Sequence, residues 1–382
     1  MFVQDPGGGR ALTAAPYERS GCSSEEVGSD SNSDHRYPET RGLVLPRRRE
    51  SRRSVSGFPR ARRTISITYH LTLDADYDHD AIVRIGRAIR PDDYISVAVL
   101  DDWERAQRAA GRLNGRWLAT VGDATVGSAY FGQSPWFEAD LLFVHVMVHP
   151  EHQHRGVGRD LLERVVASAR DHNAERLLGH AEEADRRTLQ FLDRAGFAEI
   201  DREWRSTLDL RSFDPGRWRR AIDRVTAAGI RIRSVADLRA NRPGWKGDLH
   251  RLYVEIERDV PTPLEILAMP GDDFEALSLG RQMLAEGYLV AMDGDALVGL
   301  TEPQVVDDDP TAISQELTGV LPQYRGRGIA TALKAASATW AKAQGYTSIR
   351  THNAQSNAPM LAVNDRLEFV RDLAQIEYLK NL

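Results

Sequence analysis

Apolar residues recur along this chain at two spacings, every second position and every third or fourth, and the two kinds of segment follow one another in a fixed order. Ile65-Ser-Ile-Thr-Tyr-His-Leu-Thr-Leu73 alternates and predicts a strand. Helical spacing follows from Asp78 to about Gly86 and from Asp101 to Leu113. Arg116–Val121 and Ala124–Tyr130 flank Gly122-Asp123, which predicts a hairpin. Leu141–Val148 is almost wholly apolar and predicts an interior strand. A helix with Leu161, Leu162, Val165, Val166 and Ala169 on one face should run to about Asn173. A short strand at Arg176–Ala181, a helix from Asp185 to Gly196 and a strand at Arg202–Leu210, closing the unit, complete the series.

The series then repeats. Asp214-Pro-Gly offers an N-cap and a proline for a connecting helix, Arg217 to Ala228, stopped at Gly229. Beyond it come a strand from Ile230, a helix at Trp245–Asp259 and a second hairpin, Gly287–Met292 with Ala296–Leu300. A strand at Ile313–Val320, a helix to Gln344, a strand at Thr347–His352, a helix at Asn357–Phe369 and a closing strand at Ala374–Leu379 match the first series in order. This is an internal repeat of domain size. The expected division is an N-terminal extension (1–63), a first domain (64–210), a connector (211–229) and a second domain (230–382).

Each series holds one strand–loop–helix junction rich in glycine and cations. The first is Val148-His-Pro-Glu-His-Gln153-His154-Arg155-Gly156-Val157-Gly158, the second Val320-Leu-Pro-Gln-Tyr-Arg325-Gly326-Arg327-Gly328-Ile329-Ala330. First-turn N–H groups have no intrahelical partner, glycine lets a ligand approach the backbone, and the helix dipole favours negative charge, so each junction predicts an anion site. No Lys-Ser/Thr follows the glycines, which excludes a P-loop. Leu161 and Leu333 stand where a dinucleotide fingerprint needs its third small residue.

The two junctions resemble the acetyl-CoA signature of the GCN5-related N-acetyltransferases, [Gln/Arg]-x-x-Gly-x-[Gly/Ala], as Gln153/Gly156/Gly158 and Arg325/Gly328/Ala330. The chain is thereby similar to a tandem member of that superfamily, over roughly residues 65–382. The resemblance implies an α/β (α+β) fold in each half: a mixed, mostly antiparallel sheet of six or seven strands flanked by helices, with coenzyme wedged where the fourth and fifth strands splay. It implies acetyl-CoA as co-substrate, held by the two loops and, in the second half, by Asn353 and Asn357. It further implies that the backbone N–H of Val320, and of Val148 in the first half, polarises the thioester carbonyl.

A general base commonly projects from the same strand in such relatives, and Glu316 stands four residues before Val320. Regular alternation would put Glu316 on one face with Thr318 and Val320. Val144 holds that position in the first half, and His145, three before Val148, should face the other way unless a bulge intervenes. The second half is therefore the expected catalyst. Relatives often carry an acidic tyrosine five residues before the last helix's terminal Phe; here Asn364 and Leu192 occupy those places. Asn364 could hold a water or the thiol, and Tyr324 and Tyr378 are unplaced candidates for the acid. Glu368 replaces the usual glycine before Phe369. No metal is expected: His145, His149 and His152 do not share a helical face.

Composition narrows the class. The hydrophobic share is 41% and the charged share 28%, values of an ordinary globular chain. No apolar run approaches the roughly 20 residues that cross a bilayer, and one cysteine, Cys22, cannot build a disulfide framework. A cytoplasmic enzyme is expected. Residues 1–63 read as disordered, with 12 arginines against 8 acids, clustered at Arg47–Arg53 and Arg60–Arg63. No aromatic residues interleave with those arginines, and the body outweighs the net −6 of the whole chain in acidity, so nucleic acid is not the expected partner. Asp259, Glu265, Asp272, Asp273 and Glu275 surround the acceptor side and favour a cationic amine, small molecule or peptide. Two fused copies would mimic a dimer, so a monomer is expected. The alternative is a regulator that binds acetyl-CoA without turnover.

Overall fold

The computed structural model describes residues 66–72, 77–90, 96–306 and 309–382. The extension expected to be disordered over 1–63, with its arginine clusters and Cys22, lies outside the described residues. In the first half the elements are β1 (Thr68–Thr72), α1 (His79–Ile89), α2 (Val97–Ala109), β2 (Asn114–Val121), β3 (Ala124–Gly132), β4 (Leu141–Val148), α3 (Val157–Asp171), β5 (Arg176–Glu182), α4 (Arg186–Arg194) and β6 (Ala198–Asp209). Helix α5 (Pro215–Ala227) connects the halves, with Asp214 accepting from Gly216 N as its cap. The second half comprises β7 (Ile230–Ser234), α6 (Val235–Asn241), α7 (Trp245–Glu257), α8 (Gly271–Leu277), β8 (Leu289–Asp293), β9 (Ala296–Val305), β10 (Ala312–Val320), α9 (Ile329–Ala343), β11 (Ser348–Ala354), α10 (Ala358–Arg366) and β12 (Val370–Asn381). The short helices α6 and α8 were not foreseen; each is 7 residues long, too short for a periodic pattern to register.

All strands belong to one 12-stranded sheet, ordered β1-β2-β3-β4-β5-β12-β6-β11-β10-β9-β8-β7. The expectation that β6 and β12 each close their own half is corrected by this order. Strand β6 pairs antiparallel with β11 of the second half, and β12 pairs antiparallel with β5 of the first. The two exchanged strands also pair with each other. An alternating strand specifies which face it buries but not which of two similar edges it joins, and the repeat supplies two such edges.

The exchange is symmetric about the β12–β6 seam, so equivalent helices of the halves lie on the same face of the sheet. One face carries α3 over Val157, Leu161 and Val165, and α9 over Ile329, Leu333 and Ala335, each packed on its own half's strands. On the opposite face α1 and α2 cover the first half, and α7 and α8 cover the second. The segments between α2 and β2 and between β3 and β4 interlock with that second-half layer: Arg112 forms a two-pronged ion pair with Asp273, and Trp136 is buried among Leu249, Tyr253 and Phe274. Parallel pairing of β4 with β5 ends at Phe143/Leu178, and that of β10 with β11 at Ser314/Arg350. Beyond these points each pair splays, as the resemblance implied.

Candidate active site

Both junctions fold alike. Gln153 donates from Nε2 to Val148 O at 3.0 Å, and Arg325 donates from Nε to Val320 O at 3.1 Å. The signature side chain thus folds back on the strand end and fixes the loop. Gly156 and Gly328 are the N-caps of α3 and α9, at φ 88° and 80°, and neither helix has a side-chain cap. By contrast α1, α4, α5 and α10 are capped by Asp78, Asp185, Asp214 and Asn357. The first-turn N–H groups of α3 and α9 therefore remain available to an anion. Val157 and Ile329 are buried beneath that turn.

The loops differ in two places. Gly326, at φ 75°, matches His154, which adopts φ 60° in spite of its side chain. Asp160 lies in the first turn of α3 and accepts from Tyr69 OH at 2.9 Å, whereas Ala332 occupies the matching place on α9. The first half thus supplies its own carboxylate to the helix end. Arg155 is exposed; Arg327 donates to Gln323 O and lies over the Tyr324 ring, while Tyr324 OH donates to Asp293.

Just past the strand ends, on the sides facing β9 and β3, Leu321 N donates to Val298 O and His149 N to Val126 O, both at 2.9 Å. Successive N–H groups of a strand point to opposite sides, so those of Val320 and Val148 are directed into the two splays. The residues lining the splays contrast. Val144, Leu162, Gly179 and Leu192 line an apolar cleft in the first half. Their counterparts in the second half are Gln315, Lys334, Thr351 and Asn364, all nearly fully buried. Asn364 Nδ2 donates to Asn353 Oδ1 at 2.6 Å, but Asn364 Oδ1 and Gln315 Oε1 have no partner. The Lys334 ammonium sits 4.9 Å over the Phe369 ring, and burial lowers its pKa to about 7. These polar counterparts escaped sequence reasoning, although the lysine interrupts the apolar face of α9 and could have signalled them. Orphaned buried acceptors beside an uncapped helix fit a ligand that carries amides and a diphosphate, as acetyl-CoA does. Asn357, expected to face the coenzyme, instead caps α10 by accepting from Met360 N at 3.3 Å.

Glu316 does not share a face with Val320. The β9–β10 register shifts between Gln315 and Thr318: Gln315 stands opposite Pro303, Thr318 opposite Thr301, and Glu302 faces both Glu316 and Leu317. This bulge reverses the alternation. Thr318 and Gln315 therefore share the α9 face, where Thr318 Oγ1 lies 2.7 Å from Thr301 Oγ1 and Gln315 Nε2 donates to that same Thr301 oxygen at 2.9 Å. Glu316 faces α7 and α8 with Ser314, Glu302 and Gln304. The first-half ladder is regular and sets His145 opposite Tyr130, the counterpart of Glu302. His145 and Glu316 thus occupy equivalent places, a match that counting along the chain had assigned to Val144.

Both places border one cavity of about 1540 Å³ that runs across the halves, lined by Tyr130 and His145 at one end and Tyr253, Glu302, Ser314 and Glu316 at the other. Ser314 Oγ donates to Glu316 Oε1, and Gln304 Nε2 donates to Glu302 Oε1 at 2.9 Å. Burial raises Glu316 above the usual carboxylate range, opposed by the Ser314 hydroxyl. Burial, reinforced by the Glu316 charge, pushes Glu302 to about 8. Glu257, held by Trp136 Nε1 at 2.9 Å, is raised by burial to about 7. Three of the five outer acids are already paired with protein cations. Asp259 pairs with Arg325, Asp273 with Arg112 and Glu275 with Lys246. Tyr378 is carried by the exchange into the first-half core beside Leu192 and Phe197, away from Glu316.

The profile of the Acetyltransferase (GNAT) family matches this chain twice, over residues 82–197 and 239–369. The chain belongs to that family, with two tandem domains. Its fold is similar to that of a GCN5-related N-acetyltransferase from Sphaerobacter thermophilus, at TM-score 0.60 and 17% identity over 82% of this chain and 95% of the other. It is also similar to a tandem GNAT protein from the clavulanic acid biosynthesis pathway, at TM-score 0.63 and 19% identity over 83% and 98%. A glucosamine N-acetyltransferase region of a fungal β-N-acetylglucosaminidase aligns at TM-score 0.62 and 14% identity, over 82% of this chain and 38% of the other. No curated protein matches the chain. Among the described residues no helix is long and apolar enough to cross a membrane.

Proposed function

We propose that the protein is an acetyl-CoA-dependent N-acetyltransferase acting on a primary amine, and that the second half is its catalyst. The observation that carries this reading is the bulge of β10, which turns Glu316 from the α9 face into the cavity. Acetyl-CoA supplies an acetyl group activated as a thioester. The first turn of α9, from Gly328 to Ala330, holds the diphosphate, with Arg325 fixing the loop. Gln315 Oε1 and Asn364 Oδ1 accept from the amides of the pantetheine arm. The Val320 N–H donates to the thioester carbonyl oxygen and stabilises the negative charge that grows there. Glu316 takes a proton from the attacking ammonium, a role favoured by the upward shift that burial gives its carboxyl. The departing thiolate takes a proton from solvent.

The first half keeps a loop of the same shape, with Arg159, Arg186, Arg187 and Arg194 bordering its cleft. Asp160 opposes an anion at its helix end, so coenzyme binds there more weakly. The exchanged strands complete both halves of the sheet within one chain, which favours a monomer.

Calorimetric titration of acetyl-CoA into the wild type and into Gly156→Glu and Gly328→Glu tests the reading, paired with release of free thiol in the presence of primary amines. Gly328→Glu should remove the tighter site and all turnover, and Gly156→Glu should leave turnover in place. Turnover surviving Gly328→Glu would transfer catalysis to the first half. Binding without thiol release would leave a coenzyme-binding regulator.

A further inference from the structure

Glu302 and Glu316 line the cavity with Glu257 near Glu302, and among the described residues no side-chain cation pairs with any of the three. Glu257 and Glu302 are each 1% exposed, and Oε2 of each has no hydrogen-bond partner. Of the arginines at this end of the cavity, Arg281 pairs with Asp102, Arg350 with Asp309, and Arg205 with Asp372. The first half shows what such a pocket contains when the protein fills it. There Arg116 stands across the strands from Tyr130, the counterpart of Glu302. Its guanidinium donates to Tyr77 OH at 2.9 Å, Ser128 Oγ at 3.0 Å and Glu104 Oε1 at 3.1 Å. In the second half the register pairs Leu289 with Thr301, which sets Tyr288 opposite Glu302 in the place of Arg116. Tyr288 is fully buried and its hydroxyl has no partner. Tyr288 thus stands where the first half has its guanidinium, and Glu302 and Glu316 stand where the first half has Tyr130 and His145. Burial keeps such an acid cluster protonated unless a ligand supplies a cation.

We infer that the acceptor supplies it: the substrate is a linear diamine or longer polyamine whose reacting nitrogen lies at Glu316 and whose next nitrogen lies between Glu302 and Glu257, where the first half places a guanidinium. The inference rests on the acetyltransferase reading and narrows its substrate. Neighbouring strands are about 5 Å apart, so Glu316 on β10 and Glu302 on β9 suit two nitrogens joined by a short aliphatic spacer. An ammonium offers three donors, and Glu302 Oε2, Glu257 Oε2 and the Tyr288 hydroxyl provide three orphaned oxygens.

The test is calorimetric titration of n-butylamine, 1,4-diaminobutane and spermidine into the full-length protein, with acetyl-CoA titrated separately. The diamine and spermidine should bind at least about tenfold tighter than the monoamine, a difference of about 1.4 kcal/mol. Glu302→Gln should erase that preference while acetyl-CoA binds as in the wild type, which also reports folding; Glu257→Gln provides the same test if the first variant does not fold. Equal binding of the three amines, or no binding of any, with acetyl-CoA binding intact would overturn the inference. So would a diamine preference that survives both substitutions. A diamine preference in a protein that fails to bind acetyl-CoA would support the cation pocket and refute the acetyltransferase reading.

Discussion

Glu316 reaches the cavity because β10 holds one residue more than its partner strand requires. Without that bulge its carboxylate would lie under α9, among the groups that line the splay. Replacing Glu316 with Gln should lower the rate of acetyl transfer about 100-fold or more and leave the coenzyme dissociation constant within about twofold, as steady-state kinetics and calorimetry would reveal; an unchanged pH–rate profile would remove Glu316 from the base role. The inner acids also affect stability. Glu257 and Glu302 titrate at about 7 and about 8 in the folded protein, against an ordinary 4.5. The folded state then holds these protons more tightly than the unfolded chain does. The stability they contribute is complete below about pH 4.5 and is lost as pH rises through about 7 and 8. Thermal unfolding should therefore shift downward between about pH 5.5 and 8.5, by at most about 1.4 kcal/mol per pH unit for each group. Glu302→Gln should flatten that dependence. A curve that stays as steep in the variant would place the titration elsewhere. The glutamate itself was legible, since a carboxylate in a buried strand demands a reason. Its direction was not, because a bulge becomes visible only when the opposing strand is in register.

At the scale of the element, the loops leading into α3 and α9 were the most legible part of the molecule. Glycine, the Gln/Arg position and the apolar helix face are local requirements, and the chain states them twice. What separates the two helices is less conspicuous. Asp160 on α3 stands where α9 has Ala332, and a carboxylate at a helix N-terminus competes with any anion seated there. Asp160→Asn should tighten coenzyme binding in the first half by about 0.3–1 kcal/mol. The measurement belongs in a Gly328→Glu background, where the second site is silent. Weaker or unchanged binding would show that Asp160 is not the limiting feature. The paired polar counterparts of the first-half cleft, Gln315 and Asn364, were partly legible: Asn364 came from the family's helix pattern, but Gln315 was masked by the same bulge that misdirected Glu316.

For the whole molecule, the order of elements could be read from the repeat, but the partnership of β6 and β12 could not. Each strand meets an edge in the other half that resembles the edge it left. The pattern of buried positions in β12, with Ala374, Ile376 and Tyr378 inward, would serve on either. The exchange has a consequence for any break in the backbone. A protease that nicks the α5 linker would separate the chain without separating the molecule, because each fragment would still fill a gap in the other's sheet. Two genes made by fission at that linker should yield products that elute together on gel filtration, whereas either product alone would expose the bare sides of β5 or β11 and precipitate. Fragments that fold and remain soluble apart would refute this mutual dependence. If the two products do elute together, the tandem gene serves mainly to keep two interdependent strands at equal dose.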